Sequence, residues 1–89
     1  MKCNRKYYLK NIGETYFLVS SDELEEDENK LIFLNETSAF LWEKLKINCT
    51  EDNLVNAIIN QYDVAEGIAK QHVADFISFL SENGCLDLD

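Results

Sequence analysis

The chain has no proline, three glycines, three cysteines and one histidine in 89 residues, and its eight basic residues face seventeen acidic ones. Without proline or internal repeats, nothing marks a linker or a repeat array, and 89 residues are enough for one hydrophobic core, so residues 1–89 are expected to form a single domain. The few glycines form no phosphate-cradling loop, and neither G-x-S-x-G nor H-E-x-x-H occurs. Cys3, Cys49 and Cys85 are odd in number, far apart and make no C-x-x-C pair; His72 has no Cys or His near it in sequence. Free thiols and no metal site are therefore expected. The formal charge of −9 is repelled by a phosphate backbone, which argues against a nucleic-acid partner. No apolar run is long enough to span a bilayer, and the charged start (Lys2, Arg5, Lys6) has no signal-peptide segment behind it. A cytoplasmic protein with no membrane partner is expected.

The hydrophobic content is 46%, with ten aromatic residues, ample for a packed fold. Charge is unevenly placed: the first ten residues carry four bases and no acid, and Ser21 to Asn29 carries six acids and one apolar residue. That acidic stretch cannot bury itself and is expected to be a loop. On either side, aromatic and β-branched residues mark strands over 4–10 and 15–20, joined through Asn11-Ile12-Gly13-Glu14, and a third strand over Lys30 to Leu34.

Asn35 then stands as a helix N-cap, with Glu36 suited to the positive end of the helix dipole. The first helix is expected to reach about Lys46, with Ala39, Leu41, Trp42 and Leu45 on one face. Phe40 points away from that face and reads as a partial exposure of the ordinary kind, favoured over the alternative that it belongs to a contact surface. Thr50 caps a second helix whose Leu54, Ile58 and Tyr62 repeat every four residues. Asp63 is read as the cap of a third helix that ends near Asn83, with Gly84 as its left-handed stop. Cys85 to Leu88 reads as a short last strand or a tail. Strands grouped before helices predict an α+β fold, winged helix-turn-helix-like, with a three-stranded antiparallel sheet followed by three helices.

The third helix carries more apolar surface than docking on one neighbour requires. Ala69, Val73, Phe76 and Leu80 form the core stripe, and Ile68, His72 and Phe79 form a second stripe on its flank. Either the domain nearly engulfs this helix or the flank is left for another molecule. His72 within an apolar stripe has no evident partner to orient it as a base, and no nucleophile constellation is visible. No enzyme, cofactor or catalytic residue is read.

The ordered stretches "LIFLNETSAFLWEKL", "TEDNLVNAIINQYDV" and "HVADFISFLSENGCL" resemble the PqqD family. The resemblance rests on an apolar strand ending in Leu34-Asn35, the small-residue turn Thr37-Ser38-Ala39, and a polar helix start at Thr50 to Leu54. It continues through Tyr62-Asp63-Val64, Val73, Phe76, Leu80 and Gly84. It implies a winged-helix-like peptide chaperone, a recognition element that binds the leader of a ribosomally made precursor peptide. The leader would then be presented to a modifying enzyme, such as a radical SAM protein or a leader peptidase. It further implies that the leader adds as a strand along the third strand, with side chains entering a groove against the third helix. An open strand edge and a groove suit that mode of recognition.

On that reading the peptide-binding residues are Lys30, Leu31, Ile32, Phe33 and Leu34 on the strand, with Ile68, His72, Asp75 and Phe79 on the helix. The sequence leaves the strand parity open; if Leu34 contacts the first helix turn, Ile32 lies inward with it, and Leu31 and Phe33 lie on the opposite face. Arg5, Lys6 and Lys30 would meet acids on a leader, each exposed pair contributing only about 0–1 kcal/mol. An apolar open edge also admits a homodimer. A winged-helix DNA-binding regulator shares the fold but needs basic residues on its recognition helix, and here helix two has none and helix three only Lys70. A general protein-interaction subunit shares the fold and differs only in partner.

Overall fold

The structure, a computed structural model, describes residues 1–20 and 32–87. The expected strand residues Lys30 and Leu31 and the acidic stretch Ser21 to Asn29 lie outside the described residues. Elements follow in the order β1 (Lys2–Cys3), β2 (Tyr7–Ile12), β3 (Thr15–Ser20), β4 (Ile32–Leu34), α1 (Glu36–Lys44), α2 (Glu51–Tyr62), α3 (Glu66–Glu82) and β5 (Leu86–Asp87). An antiparallel sheet of order β2-β3-β4 precedes three helices, which is the expected α+β arrangement.

β2 and β3 form a hairpin in which Ile12 pairs with Thr15. The turn is only Gly13-Glu14, tighter than expected. Gly13 has φ +62° and Glu14 does not enter the positive region, as a type II′ hairpin turn requires. β2 also begins later than expected, because residues 4–6 form a corner. Asn4 Oδ1 accepts from the Lys6 N–H at 2.8 Å, and the Asn4 carbonyl accepts from the Tyr7 N–H. The two-residue strands β1 and β5 pair antiparallel and join the start of the chain to the segment after α3.

Capping chemistry sets the helix starts. Asn35 Oδ1 accepts from the Ser38 N–H at 2.8 Å, and Thr50 and Asn53 form a reciprocal capping box at 3.1 and 3.0 Å. α1 stops at Lys44, two residues short of the expected end.

Asp63 corrects the reading of a third N-cap. It closes α2 from the left-handed region (φ 52°, ψ 49°), its N–H donating to the Ile59 carbonyl, and α3 starts at Glu66 after Ala65 with no side-chain cap. Asp tolerates left-handed geometry better than most residues but less well than Gly, and its charge opposes the negative end of the α2 dipole. Asp63→Gly relieves both and is expected to stabilise the fold by about 0.5–1 kcal/mol. The melting temperature should rise by roughly 2–8 °C in a calorimetric scan; a fall would refute this account of the cap.

One apolar cluster joins sheet and helices. Leu18 from the sheet meets Leu41, Trp42 and Leu45 of α1 and its C-terminal cap, Leu54 and Ile58 of α2, and Val73, Phe76 and Leu80 of α3. Phe40 is half-buried, in keeping with the partial exposure expected of it. Its ring meets Tyr62 edge-on at 5.5 Å, and Lys44 Nζ lies 5.1 Å from its centroid. The sheet alternates as its pleat demands. Ile32 and Leu34 are buried, whereas Phe33 is 64% exposed and sits opposite Phe17, the two ring centroids 6.3 Å apart.

Candidate functional site

β4 pairs with β3 on one side and with no other described strand. It therefore leaves one row of backbone groups available to an incoming chain. Beside that edge an open groove of about 490 Å³ runs between the end of β4 with the first turn of α1 and one face of α3. Phe33, Leu34, Asn35 and Ser38 form one wall; Gln71, His72, Asp75, Phe76 and Phe79 form the other. The α3 residues fall at spacings of three and four, so the helix turns all of them towards the same side.

Five of the expected residues are thus brought together: Phe33, Leu34, His72, Asp75 and Phe79. Ile32 is not among the lining residues; its side chain is buried in the core. Ile68 is 53% exposed on the same flank of α3, one turn before His72, and does not line the groove. Lys30 and Leu31 lie outside the described residues.

Four lining residues were not expected. Asn35 reads as a helix cap, which it is, its Oδ1 accepting from the Ser38 N–H, and the position of both residues at the strand–helix junction also puts them on the wall. Phe76 belongs to the core stripe and is almost wholly buried, yet its edge forms part of the groove. Gln71 is polar and silent in the apolar pattern. Its signal is the i,i+4 spacing to Asp75, whose Oδ1 accepts from Gln71 Nε2 at 2.8 Å.

The flank of α3 is open: Phe79 is 37% exposed and His72 is exposed. Of the two alternatives for this helix, the structure shows the unengulfed one. His72 also borders a smaller hollow of about 260 Å³ with Thr37, Ile58, Tyr62 and Val64.

Among the described residues, no Lys or Arg lines this groove. Lys2, Arg5 and Lys46 line a separate hollow of about 320 Å³ with Tyr7, Tyr8 and Trp42. Lys70, the one base on α3, lies 3.4 Å from Glu66 in an exposed i,i+4 pair. No group of His, Cys, Asp and Glu suited to a metal occurs among the described residues. Burial pushes the Cys3 and Cys49 thiols up from their ordinary value, which disfavours the thiolate that a ligand or nucleophile needs, and Cys85 is fully buried. No described helix is long and apolar enough to cross a membrane.

The family model described as PqqD, coenzyme PQQ synthesis protein D, matches residues 16–86. A solved structure described as TbiB1 in complex with the TbiA(beta) leader peptide superposes with a TM-score of 0.78 at 18% identity, covering 100% of this chain and 98% of that one. A second, described as lasso peptide synthetase B1 complexed with the leader peptide, has a TM-score of 0.73 at 17% identity and covers 94% and 93%. At these identities the likeness is one of fold. No curated protein matches the sequence.

Proposed function

The chain belongs to the PqqD family, and from that premise we propose that it binds the leader segment of a ribosomally made precursor peptide as an added strand on the free edge of β4. The carrying observation is the groove itself: a β4 edge with no strand partner among the described residues lies beside an exposed apolar flank of α3. The two structural neighbours, each solved with a leader peptide, support the reading. In this arrangement backbone pairing supplies affinity with little dependence on sequence, each hydrogen bond contributing about 0.5–1.5 kcal/mol net. Leader residues in register with Ile32 and Leu34 project into the groove, and those between them lie with Phe33 on the outer face of the sheet. Residues 1–89 act as one peptide-binding domain that presents the rest of the precursor to a modifying enzyme, a radical SAM protein or a leader peptidase.

The module is non-catalytic on this reading. Ser38, His72 and Asp75 share the groove, but no hydrogen bond joins them among the described residues. Asp75 is engaged by Gln71, and the Ser38 N–H by Asn35. A triad requires a base held between its nucleophile and its orienting acid.

Calorimetric titration of the chain with the leader of the precursor peptide encoded nearest its gene tests the proposal, with a DNA duplex as control. Saturable binding of the peptide with a negative heat-capacity change, and none of the duplex, is expected. No heat with the peptide, or comparable binding of the duplex, would refute it.

A further inference from the structure

Among its described lining residues the groove carries charge of one sign, and this bears on which peptides enter it. Of the nine lining residues, Asp75 alone is a carboxylate and none is Lys or Arg. Gln71 Nε2 donates to Asp75 Oδ1 and so holds the carboxylate in place. Oδ2 has no hydrogen-bond or ion-pair partner among the described residues. Asn35 Oδ1 and the Ser38 N–H are committed to each other at the cap, and the rest of the lining is largely aromatic or aliphatic: Phe33, Leu34, Phe76 and Phe79.

Resting on the leader-binding reading, we infer that the groove selects leader segments that carry a lysine or arginine among their apolar anchors, and that Asp75 is the residue setting this preference. A long basic side chain fits both parts of the lining. Its methylenes lie along Phe76 and Phe79, and its cation reaches the free oxygen of Asp75, one helical turn from Phe79. An acidic leader residue at the same place faces Asp75 with no base among the described lining residues to offset it. Arg5 stands in the separate hollow with Lys2 and Lys46, and Lys70 is paired with Glu66. The structure thus points away from leader acids meeting Arg5 at this groove. The net charge of −9 adds a general attraction for basic peptides, which any test must separate from the local effect.

A displayed library of random twelve-residue peptides, selected on the full chain at pH 8, makes that separation. Three proteins are compared: the unmodified chain, Asp75→Lys, and Glu51→Lys. Glu51 is exposed in the first turn of α2 and does not line the groove, so its substitution changes net charge by the same amount. The unmodified chain and Glu51→Lys are expected to enrich peptides with Lys or Arg between apolar residues. Asp75→Lys is expected to enrich Asp or Glu there. In a selected peptide resynthesised with that Lys changed to Glu, affinity should fall tenfold or more for the unmodified chain and rise for Asp75→Lys. A basic preference that survives Asp75→Lys, or that Glu51→Lys abolishes equally, overturns the assignment while leaving peptide binding intact. Failure of the unmodified chain to enrich any peptide overturns the leader-binding reading and this one with it.

Discussion

Phe79→Asp is expected to weaken leader binding by about 30-fold or more while leaving the folded state in place. The magnitude follows from the position. Phe79 is a large aromatic on the flank of α3, 37% exposed in the free protein and part of the groove wall. Anchors of this kind cost about 2 kcal/mol or more on truncation, and each 1.4 kcal/mol is a factor of ten. The aspartate also puts a second carboxylate one turn from Asp75, facing a peptide inferred to be basic yet without the apolar surface that seats it. The fold should tolerate the change, because the core stripe of α3 is Ala69, Val73, Phe76 and Leu80, and Phe79 lies beside that stripe. Titration with the leader, accompanied by circular dichroism, reads both quantities. Ile68→Asp is the matched control, an exposed apolar residue of the same helix outside the groove, and its effect should stay within about twofold. Normal affinity in Phe79→Asp would remove α3 from the site; equal losses in the two variants would mean that general apolar exposure, and not the groove, drives binding.

That contrast between Phe79 and Ile68 marks how far the sequence could be read. Both belong to one apolar flank of α3, and periodicity places them there correctly, but periodicity does not say where along the helix β4 passes. The Asn35 cap was legible because it is local, whereas the parity of the strand before it stayed open, since the run is apolar at every position; the structure puts Ile32 and Leu34 inward and Phe33 outward. The Thr50 cap and the left-handed Gly84 were legible for the same reason, since each is a local interaction with a local signal. Asp63 was misread because Asp serves two local roles: it caps helix starts and it tolerates the left-handed region that ends a helix. Only the position of the following turn decides between them. The partial exposure of Phe40 was legible, but its ring partner Tyr62 was not, because it comes from another helix. β5 falls within Cys85 to Leu88, read as a short last strand or a tail, but its pairing with β1 across the whole chain was not legible, since strands of two residues have no period to detect. The groove wall from Asn35 and Ser38 was hidden by the visible role of Asn35 as a cap. Each miss is a contact between distant segments, or a residue with two uses.

Trp42→Ala should produce the complementary result: a large loss of stability with little change in affinity for whatever remains folded. Trp42 is 1% exposed in α1 and joins the cluster that holds sheet and helices together. Replacing a buried aromatic of this size by Ala costs about 3–5 kcal/mol, a large part of the roughly 5–15 kcal/mol available to a small domain. For a chain of this length the melting temperature should fall by about 15–30 °C; a fall of less than about 5 °C would deny Trp42 its central place, and Trp42→Phe, with a smaller expected loss, gives a graded check if the alanine variant is unfolded at 25 °C. The groove wall built from Leu34, Asn35 and Ser38 rests on the N-terminal end of the same helix, but Trp42 itself does not line it. Leader at a hundred times its dissociation constant should therefore restore about 2.7 kcal/mol to Trp42→Ala, as to the unmodified chain. The same concentration should restore far less to Phe79→Asp, whose melting temperature without peptide stays near normal. Core and groove would then separate in one set of melting curves, and a leader that fails to stabilise Trp42→Ala under conditions where it is folded would show that the core change reaches the groove through α1.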